Sequence, residues 1–276
     1  MVTLITEMFS ERFIQMGLAA SVIVGGICAY LGVFLILKRI VFVGAALSQM
    51  AAVGIVTGHL IGHWLGINLE WFAFLFSILG ALIFWLPISR GSGMTRESLI
   101  GYVYIFGTAL TVLIIAKDPL AEAENLDLFS GNILFVTGFD LIMAGIISGL
   151  VFIAHMIFRK EFIMVSFDPC TATTLNIPVR LYDFLIYLTL GIVISIGIRF
   201  TGMLFIFSSL IIPAMIGLRL CRSLKWVFIA SVISIWLSSV IGIILSYKFD
   251  FPTGPAISVT NSILLLLCIV LKRYVF

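Results

Sequence analysis

The run FIQMGLAASVIVGGICAYLGVFLIL, residues 13–37, contains no charged side chain and points to the fold class. A helix of about 20 apolar residues crosses the roughly 30 Å of hydrocarbon in a lipid bilayer. Over all 276 residues, 62% are hydrophobic and 11% are charged. Soluble domains are about half apolar and a quarter charged. The sequence therefore predicts an all-α, polytopic membrane helical bundle, a single transmembrane domain over residues 1–276.

Similar apolar runs recur along the whole chain between short charged segments. They cover residues 13–37, 40–67, 71–88, 99–116, 141–158, 184–198, 202–218, 226–246 and 257–271. We therefore expect about nine transmembrane helices. The range is eight to ten, because residues 128–138, LFSGNILFVTG, are compatible with a short re-entrant or interfacial segment.

The basic residues predict the orientation of the chain. If the N-terminus lies outside, the cytoplasmic loops hold twelve of the sixteen Lys and Arg residues, and only Arg12, Lys117, Arg199 and Lys248 lie outside. Such an excess on the cytoplasmic side is typical of membrane proteins. We expect an outer N-terminus and a cytoplasmic C-terminus. The outer loop 118–127 carries four acidic residues, which either guide cations and dock a binding protein or simply keep the loop in water.

The second run combines small residues with two histidines. Its glycines at 54, 58, 62 and 66 recur every four residues, a spacing that permits close helix packing in lipid. This pattern fits a helix beside a substrate path and ordinary tight packing equally well. At 100° per residue, a second set of side chains lies within about 40° of one direction: Ala45, Gln49, Ala52, Val56, His59 and His63.

His59 and His63 lie one helical turn apart on that face. Neutral imidazole is a good ligand for zinc, iron or manganese, although two histidines supply at most half of a site. The alternative is that both are interfacial residues bonded to headgroups, water or a carbonyl. We take the pair as candidate metal ligands.

The centres of the apolar runs carry almost no ionisable groups. A proton-coupled carrier normally places an acid or a lysine there, so the energy for any transport is expected to come from outside the membrane. The sequence contains no GxxxxGK followed by Ser or Thr, and the chain is therefore not expected to hydrolyse ATP itself. Asp140 and Asp183 are interpreted as helix caps at the starts of spans, and His155 as an interfacial residue.

Enzymatic functions are less well supported. The HLIGH sequence at residues 59–63 lacks the glutamate that zinc proteases use, and no GxSxG motif occurs. A membrane enzyme that uses His59, His63 and Asp140 stays as an alternative, as does a structural or regulatory subunit. The four cysteines are scattered and are interpreted as packing residues. We expect membrane lipid around the chain and no nucleic-acid partner.

Five segments, taken in order, resemble the permeases of zinc, manganese and iron ABC importers. They are GGICAYLGVFLILKRIVFVGAALSQMAAVGI at 25–55, LFSGNILFVTGFDL at 128–141, VSFDPCTATTLNIPVRLYDFLI at 165–186, IRFTGMLFIFSSLIIPAMIGLRL at 198–220 and YKFDFPTGPAISV at 247–259. The five segments occur in the same order as in the family and extend from residue 25 to residue 259, almost from end to end of the chain.

The resemblance implies a function and a set of partners. It implies a cytoplasmic coupling loop at about 159–183 that contacts a separate ABC ATPase through Phe167, Asp168, Thr171, Leu175, Ile177 and Pro178. It further implies a second permease copy or paralogue, an extracytoplasmic substrate-binding protein and a location in the inner membrane of a bacterium. No cofactor is expected to be bound permanently, because the partner subunit uses the ATP. Transport would proceed by alternating access.

The chain departs from the family where its metal ligands are expected. In the family segment GDALSH, the Asp corresponds to Ala45 and the His to Gln49, and neither replacement is a good transition-metal ligand. The translocation path implied by the resemblance follows Ala45, Ser48, Gln49, Ala52 and Val56. Three explanations stay open: a paired permease retains the ligands, the substrate is a chelate or a non-metal small molecule, or His59 and His63 substitute.

Overall fold

The structure is a computed structural model that describes residues 11–65, 69–86, 95–116, 131, 133 and 136–275. The described residues form eleven helices and no strand. The helices are α1 Arg12–Leu37, α2 Val43–Leu65, α3 Leu69–Trp85, α4 Arg96–Ile115, α5 Gly138–Ile157, α6 Arg159–Phe167, α7 Pro169–Thr174, α8 Val179–Thr201, α9 Met203–Leu220, α10 Leu224–Phe249 and α11 Thr253–Val275.

The predicted bundle of about nine membrane helices is confirmed. Within the described residues, eight helices are long and apolar enough to cross a bilayer, and α3 contributes a shorter apolar stretch, Trp71–Trp85. The helices α6 and α7 lie where a cytoplasmic loop is predicted. α8 begins at Val179, five residues before the apolar run 184–198, because the helix also includes the mixed polar and apolar residues 179–183. Most of the 128–138 segment lies outside the described residues.

The chain divides into two compact units. The first contains Met1–Ile36, Phe129–Leu150 and Arg199–Phe276, and the second contains Leu37–Leu128 and Val151–Ile198. In the first unit α9, α10 and α11 pack against one another. Tyr30 and Phe34 of α1 contact the Phe228 ring of α10, with ring centroids 5.0 and 5.2 Å away.

Buried hydroxyl and amide groups also join the helices of the first unit. Ser238 on α10 donates to the Asn261 side chain on α11 across 3.1 Å, and the hydroxyls of Ser208 and Ser258 are 2.9 Å apart. Apolar burial does not drive helices together in lipid, so such contacts and close packing hold membrane bundles instead. The apolar runs in the sequence did not predict these polar contacts between helices.

In the second unit α2 packs against α3 and α4. The tight packing predicted from the glycine pattern is present at two of its four positions. A Cβ atom on Gly54 would overlap the backbone of Phe72, and one on Gly58 would lie 3.2 Å from the Phe72 ring. The side-chain surroundings of Gly62 and Gly66 lie outside what the structure describes.

The structure tests three interpretations of single polar residues. Asp140 takes part in the N-terminal cap of α5, as predicted: its amide donates to the Thr137 hydroxyl, and its carboxylate accepts from the Thr137 amide and hydroxyl. Asp183 is not a cap, because it lies inside α8 and binds basic residues that are distant in sequence. His155 does not face headgroups or water, because its side chain is fully buried and stacks on Phe162 of α6.

Candidate coupling surface and translocation path

The coupling segment comprises α6, α7 and the turn that follows, residues 159–178. α7 has only six residues, too few to be stable by itself in water. Its N-cap residue, Asp168, accepts hydrogen bonds from the amides of Cys170 and Thr171, both at 3.1 Å. The Thr171 hydroxyl donates to the second carboxylate oxygen across 2.5 Å. Pro169 at the first helical position completes a strong start signal.

The other end of α7 is closed by a Schellman motif. Asn176 adopts a left-handed conformation with φ of 58°, and its amide donates to the Thr173 carbonyl. The Ile177 amide donates to the Ala172 carbonyl at 3.0 Å, and Pro178 prevents the helix from continuing. Both ends of α7 are therefore fixed by local hydrogen bonds.

The coupling segment exposes two large apolar side chains. Phe167 is 70% exposed and Leu175 is 58% exposed, one at each end of α7. Phe162, Val165 and Ala172 of the same segment are buried. Exposed apolar anchors on a rigid, locally capped element are typical of a protein-binding surface.

Ring contacts with α5 and α8 hold α6 in place. The His155 ring stacks on Phe162 with centroids 4.1 Å apart, and Phe162 meets Tyr182 of α8 edge to face at 5.2 Å. A ring nitrogen of His155 lies 3.1 Å from the Thr189 hydroxyl, also on α8. Sequence reasoning missed this cluster, since nothing in the local pattern around His155 indicates partners on two other helices.

A buried ionic cluster lies at the start of α8. Asp183 pairs with Lys38 through one carboxylate oxygen and with Arg96 through the other, the latter at 3.3 Å. Arg96 also donates to the Tyr187 hydroxyl at 3.0 Å. The Lys38 and Asp183 side chains are 8% and 10% exposed. Burial lowers the pKa of Lys38 below its ordinary value, and the neighbouring Asp183 carboxylate opposes that shift.

The α2 stripe, the five residues predicted to follow a translocation path, is buried. Its members Ala45, Ser48, Gln49, Ala52 and Val56 are each at most 8% exposed. The Ser48 hydroxyl donates to the Gly44 carbonyl of its own helix at 2.9 Å. A Cβ atom on Gly107 of α4 would lie 3.2 Å from the Gln49 Cβ, so the absence of a side chain at residue 107 makes room for the glutamine.

The two candidate metal ligands, His59 and His63, lie toward the end of α2. His59 is half-buried on α2, and the side-chain surroundings of His63 lie outside the described residues. No group of three or more His, Cys, Asp or Glu residues that could hold a metal ion occurs in the part of the chain that the structure describes. The path and the metal role of these residues therefore stay predictions.

Comparisons with known proteins agree over nearly the full length of the chain. The ABC 3 transport family matches residues 10–272. A probable iron transport system membrane protein of Haemophilus influenzae is 31% identical over 254 residues, covering 91% of this chain and 90% of that protein. The manganese import system permease protein ScaB of Streptococcus gordonii is 27% identical over 92% of this chain and 90% of its own length.

A solved structure supports the same relationship. PsaBC from Streptococcus pneumoniae, in complex with Fab, superposes with a TM-score of 0.83 at 25% identity. The superposition covers 97% of this chain and 95% of that one.

Proposed function

Because the chain belongs to the ABC 3 transport family, we propose that it is the permease subunit of an ATP-driven importer for zinc, manganese or iron ions or their chelates. The observation that carries this proposal is the coupling segment, whose exposed and doubly capped α7 coincides with the stretch for which the resemblance implies contact with an ATPase. The names of relatives that import manganese or transport iron support a metal substrate.

In this proposal the permease and the ATPase divide the work. The chain has no ATP-binding motif, so a separate ATPase subunit contacts Phe167, Leu175 and the Asp168 cap from the cytoplasm. ATP binding then favours one of two permease conformations through the different affinity of the ATPase pair for each. A second permease copy or paralogue, a substrate-binding protein outside and the bacterial inner membrane complete the assembly.

The residues of the α2 stripe bear on the form in which the metal travels. Ala45 offers a methyl group and Gln49 a neutral amide, and neither replaces water on a transition-metal ion effectively. A chelated ion, or a pore whose second subunit retains the ligands, fits these residues. The same two residues favour a second candidate function, the import of a metal-free small molecule by the same architecture.

Uptake by the reconstituted complex tests the proposed function. The permease is purified with its ATPase, placed in proteoliposomes and supplied with the binding protein and radioactive manganese, zinc, iron or ferric chelate. We expect ATP-dependent accumulation of at least one of these substrates. A complex that hydrolyses ATP but accumulates none of them would overturn the metal assignment and favour the small-molecule candidate.

Restoring the family ligands separates free ions from chelates. The double variant Ala45→Asp with Gln49→His places a carboxylate and an imidazole one turn apart on α2, a pair suited to manganese or zinc. We expect it to gain uptake of the free ion. The matched control Ala45→Asn with Gln49→Leu changes similar volumes without adding an ionisable ligand and should show no gain. Equal uptake by both variants would contradict a path along the α2 stripe.

A further inference from the structure

The first three turns of α8 directly follow the coupling segment and contact α3, α4, α6 and the turn before α2. The Trp85 indole of α3 donates to the Arg180 carbonyl at 3.0 Å, and its ring lies 5.3 Å from that of Phe184. Phe84 of α3 lies 6.0 Å from the Tyr187 ring. These contacts are apolar or directed at the backbone, so they tolerate small sliding movements between helices.

Asp183 makes a different kind of contact on the same part of α8. Its two carboxylate oxygens bind two cations that come from different parts of the chain, Lys38 and Arg96. Lys38 and Asp183 are almost completely buried. A shift of either partner would leave a buried charge unpaired, which is far more costly than a shift between two rings.

Each cation leads to an element that bears on the α2 stripe. Lys38 lies in the tight turn before α2, where Arg39 adopts a left-handed conformation and the Val43 amide donates to the Ile40 carbonyl. This turn is five residues long, so the start of α2 follows Lys38 closely.

Arg96 is the first residue of α4. The buried face of α4, which includes Val103, Gly107 and Thr111, packs toward α2, and Gly107 lies against Gln49. The carboxylate of Asp183 is thus bonded at once to the entry of α2 and to the helix that packs on Gln49.

We propose that Asp183 is the positioning residue that makes the start of α8 move together with α2 and α4 when the ATPase displaces the coupling segment. This role presupposes the proposed function, since it concerns how ATP hydrolysis reaches the translocation path. Loss of the carboxylate leaves the ring contacts of Trp85 and Phe84 in place but removes the bonds that resist sliding. ATP hydrolysis would then continue without a matching movement of the α2 stripe.

The first test measures substrate uptake per ATP hydrolysed by the purified permease and ATPase complex in proteoliposomes. We expect Asp183→Asn to assemble with the ATPase, to hydrolyse ATP within about twofold of wild type and to lose at least tenfold in uptake per ATP. Asp183→Glu, which keeps the charge, should recover part of the ratio. The matched control is Asp140→Asn, the same change in a capping aspartate bonded to Thr137, and its ratio should stay at the wild-type value.

A second readout does not depend on the identity of the substrate. Gln49→Cys is introduced into a chain whose four native cysteines are replaced by alanine, and its reaction rate with a small maleimide is compared in nucleotide-free and vanadate-trapped complexes. We expect the rate to differ at least fivefold between the two states with Asp183 present and to be equal in Asp183→Asn. A difference that persists in Asp183→Asn would overturn the proposal, even if no metal is transported.

The two readouts also separate the proposal from the proposed function. If the wild-type complex transports no metal but shows the nucleotide-dependent maleimide rate, the proposed substrate is wrong. The Asp183→Asn variant then still decides the role of Asp183. If Asp183→Asn yields no monodisperse complex, Arg96→Gln serves instead. The Arg96 side chain is 47% exposed, and its removal leaves the buried Asp183 and Lys38 side chains paired with each other. Wild-type uptake per ATP in Arg96→Gln would likewise overturn the proposal.

Discussion

The coupling segment and the α2 stripe belong to the same compact unit, but they are built in opposite ways. The coupling segment exposes Phe167 and Leu175, and its α7 is held in shape by hydrogen bonds within a dozen residues. The α2 stripe is buried and takes its surroundings from α3 and α4. A protein-binding surface can be fixed locally, whereas the surroundings of a buried helix face depend on how whole helices pack.

This difference decides what a substitution reports in each region. A change in the coupling segment alters a surface and leaves the bundle intact, so its effect is expected in assembly with the ATPase. A change in α2 first disturbs helix packing, and only a side chain that fits the existing space can report on the path. Substitutions at Gly54, Phe167 and Asp168 test this contrast, in decreasing order of expected effect.

Gly54→Leu should abolish the packing of α2. A Cβ atom at this position already overlaps the backbone of Phe72, and a backbone cannot rotate away as a side chain can. We expect the free energy of unfolding to fall by at least about 3 kcal/mol, the upper end of typical overpacking costs. Thermal melting in detergent would show the lower stability, and size-exclusion chromatography would show the loss of monodisperse protein.

Gly101→Leu on α4 is the matched control for the Gly54 change. No atom lies within 4 Å of a Cβ atom built on Gly101, so a leucine there meets open space among the described residues. We expect monodisperse protein with a melting temperature close to that of wild type. If both leucine variants melt alike, close approach of α2 and α3 does not limit stability.

Phe167→Ala should weaken binding of the ATPase without altering the permease fold. The side chain is 70% exposed, and an aromatic anchor buried on assembly commonly contributes about 2 kcal/mol, a loss of roughly thirtyfold in affinity. Affinity would be measured by biolayer interferometry with the permease in nanodiscs. Leu175→Ala is expected to act in the same direction and more weakly, because less apolar area is removed.

Phe139→Ala provides the comparison for Phe167. Phe139 is also 70% exposed, but it lies at the start of α5, outside the coupling segment. We expect its loss to leave ATPase affinity unchanged within about twofold. Equal losses in the two alanine variants would mean that exposed apolar surface in general, and not the coupling segment, binds the partner.

The fold was largely predictable because a membrane bundle is encoded in composition and in the length of apolar runs. The surroundings of Asp183 and His155 were not. Lys38 precedes Asp183 by 145 residues, and no local pattern distinguishes an aspartate that caps a helix from one that meets distant cations. His155 likewise lies at the end of a span, where an interfacial role and a buried stack give the same local sequence.

The candidate site shows the same division. The start and end of α7 can be read from neighbouring residues, because Asp-Pro at 168–169 and Asn-Ile-Pro at 176–178 are strong boundary signals. Four members of the α2 stripe could be placed on one helix face from spacing alone, and Ser48 was added by the resemblance. Its burial, and the glycine on α4 that makes room for Gln49, depend on contacts between helices and appear only in the folded chain.

Asp168→Ala should have the smallest effect of the three changes, a severalfold weaker ATPase affinity at pH 7. The carboxylate caps α7, and its loss frees the amides of Cys170 and Thr171 and lets the short helix fray. Asp168→Asn keeps an acceptor of similar strength and should bind almost as well as wild type. Equal affinities of the alanine and asparagine variants would show that the cap does not shape the coupling surface.

The pH dependence of the cap distinguishes the carboxylate from the asparagine. Hydrogen bonds from Thr171, through its hydroxyl and its amide, hold the pKa of Asp168 below its ordinary value. The stabilisation is therefore complete above the ordinary carboxyl pKa and is lost as the pH falls through the lowered one. Opening of the Cys170 and Thr171 amides, obtained from hydrogen exchange after correction for the intrinsic rate, should increase in acid for wild type and stay constant for Asp168→Asn. A parallel increase in both would place the acid-sensitive group elsewhere in the coupling segment.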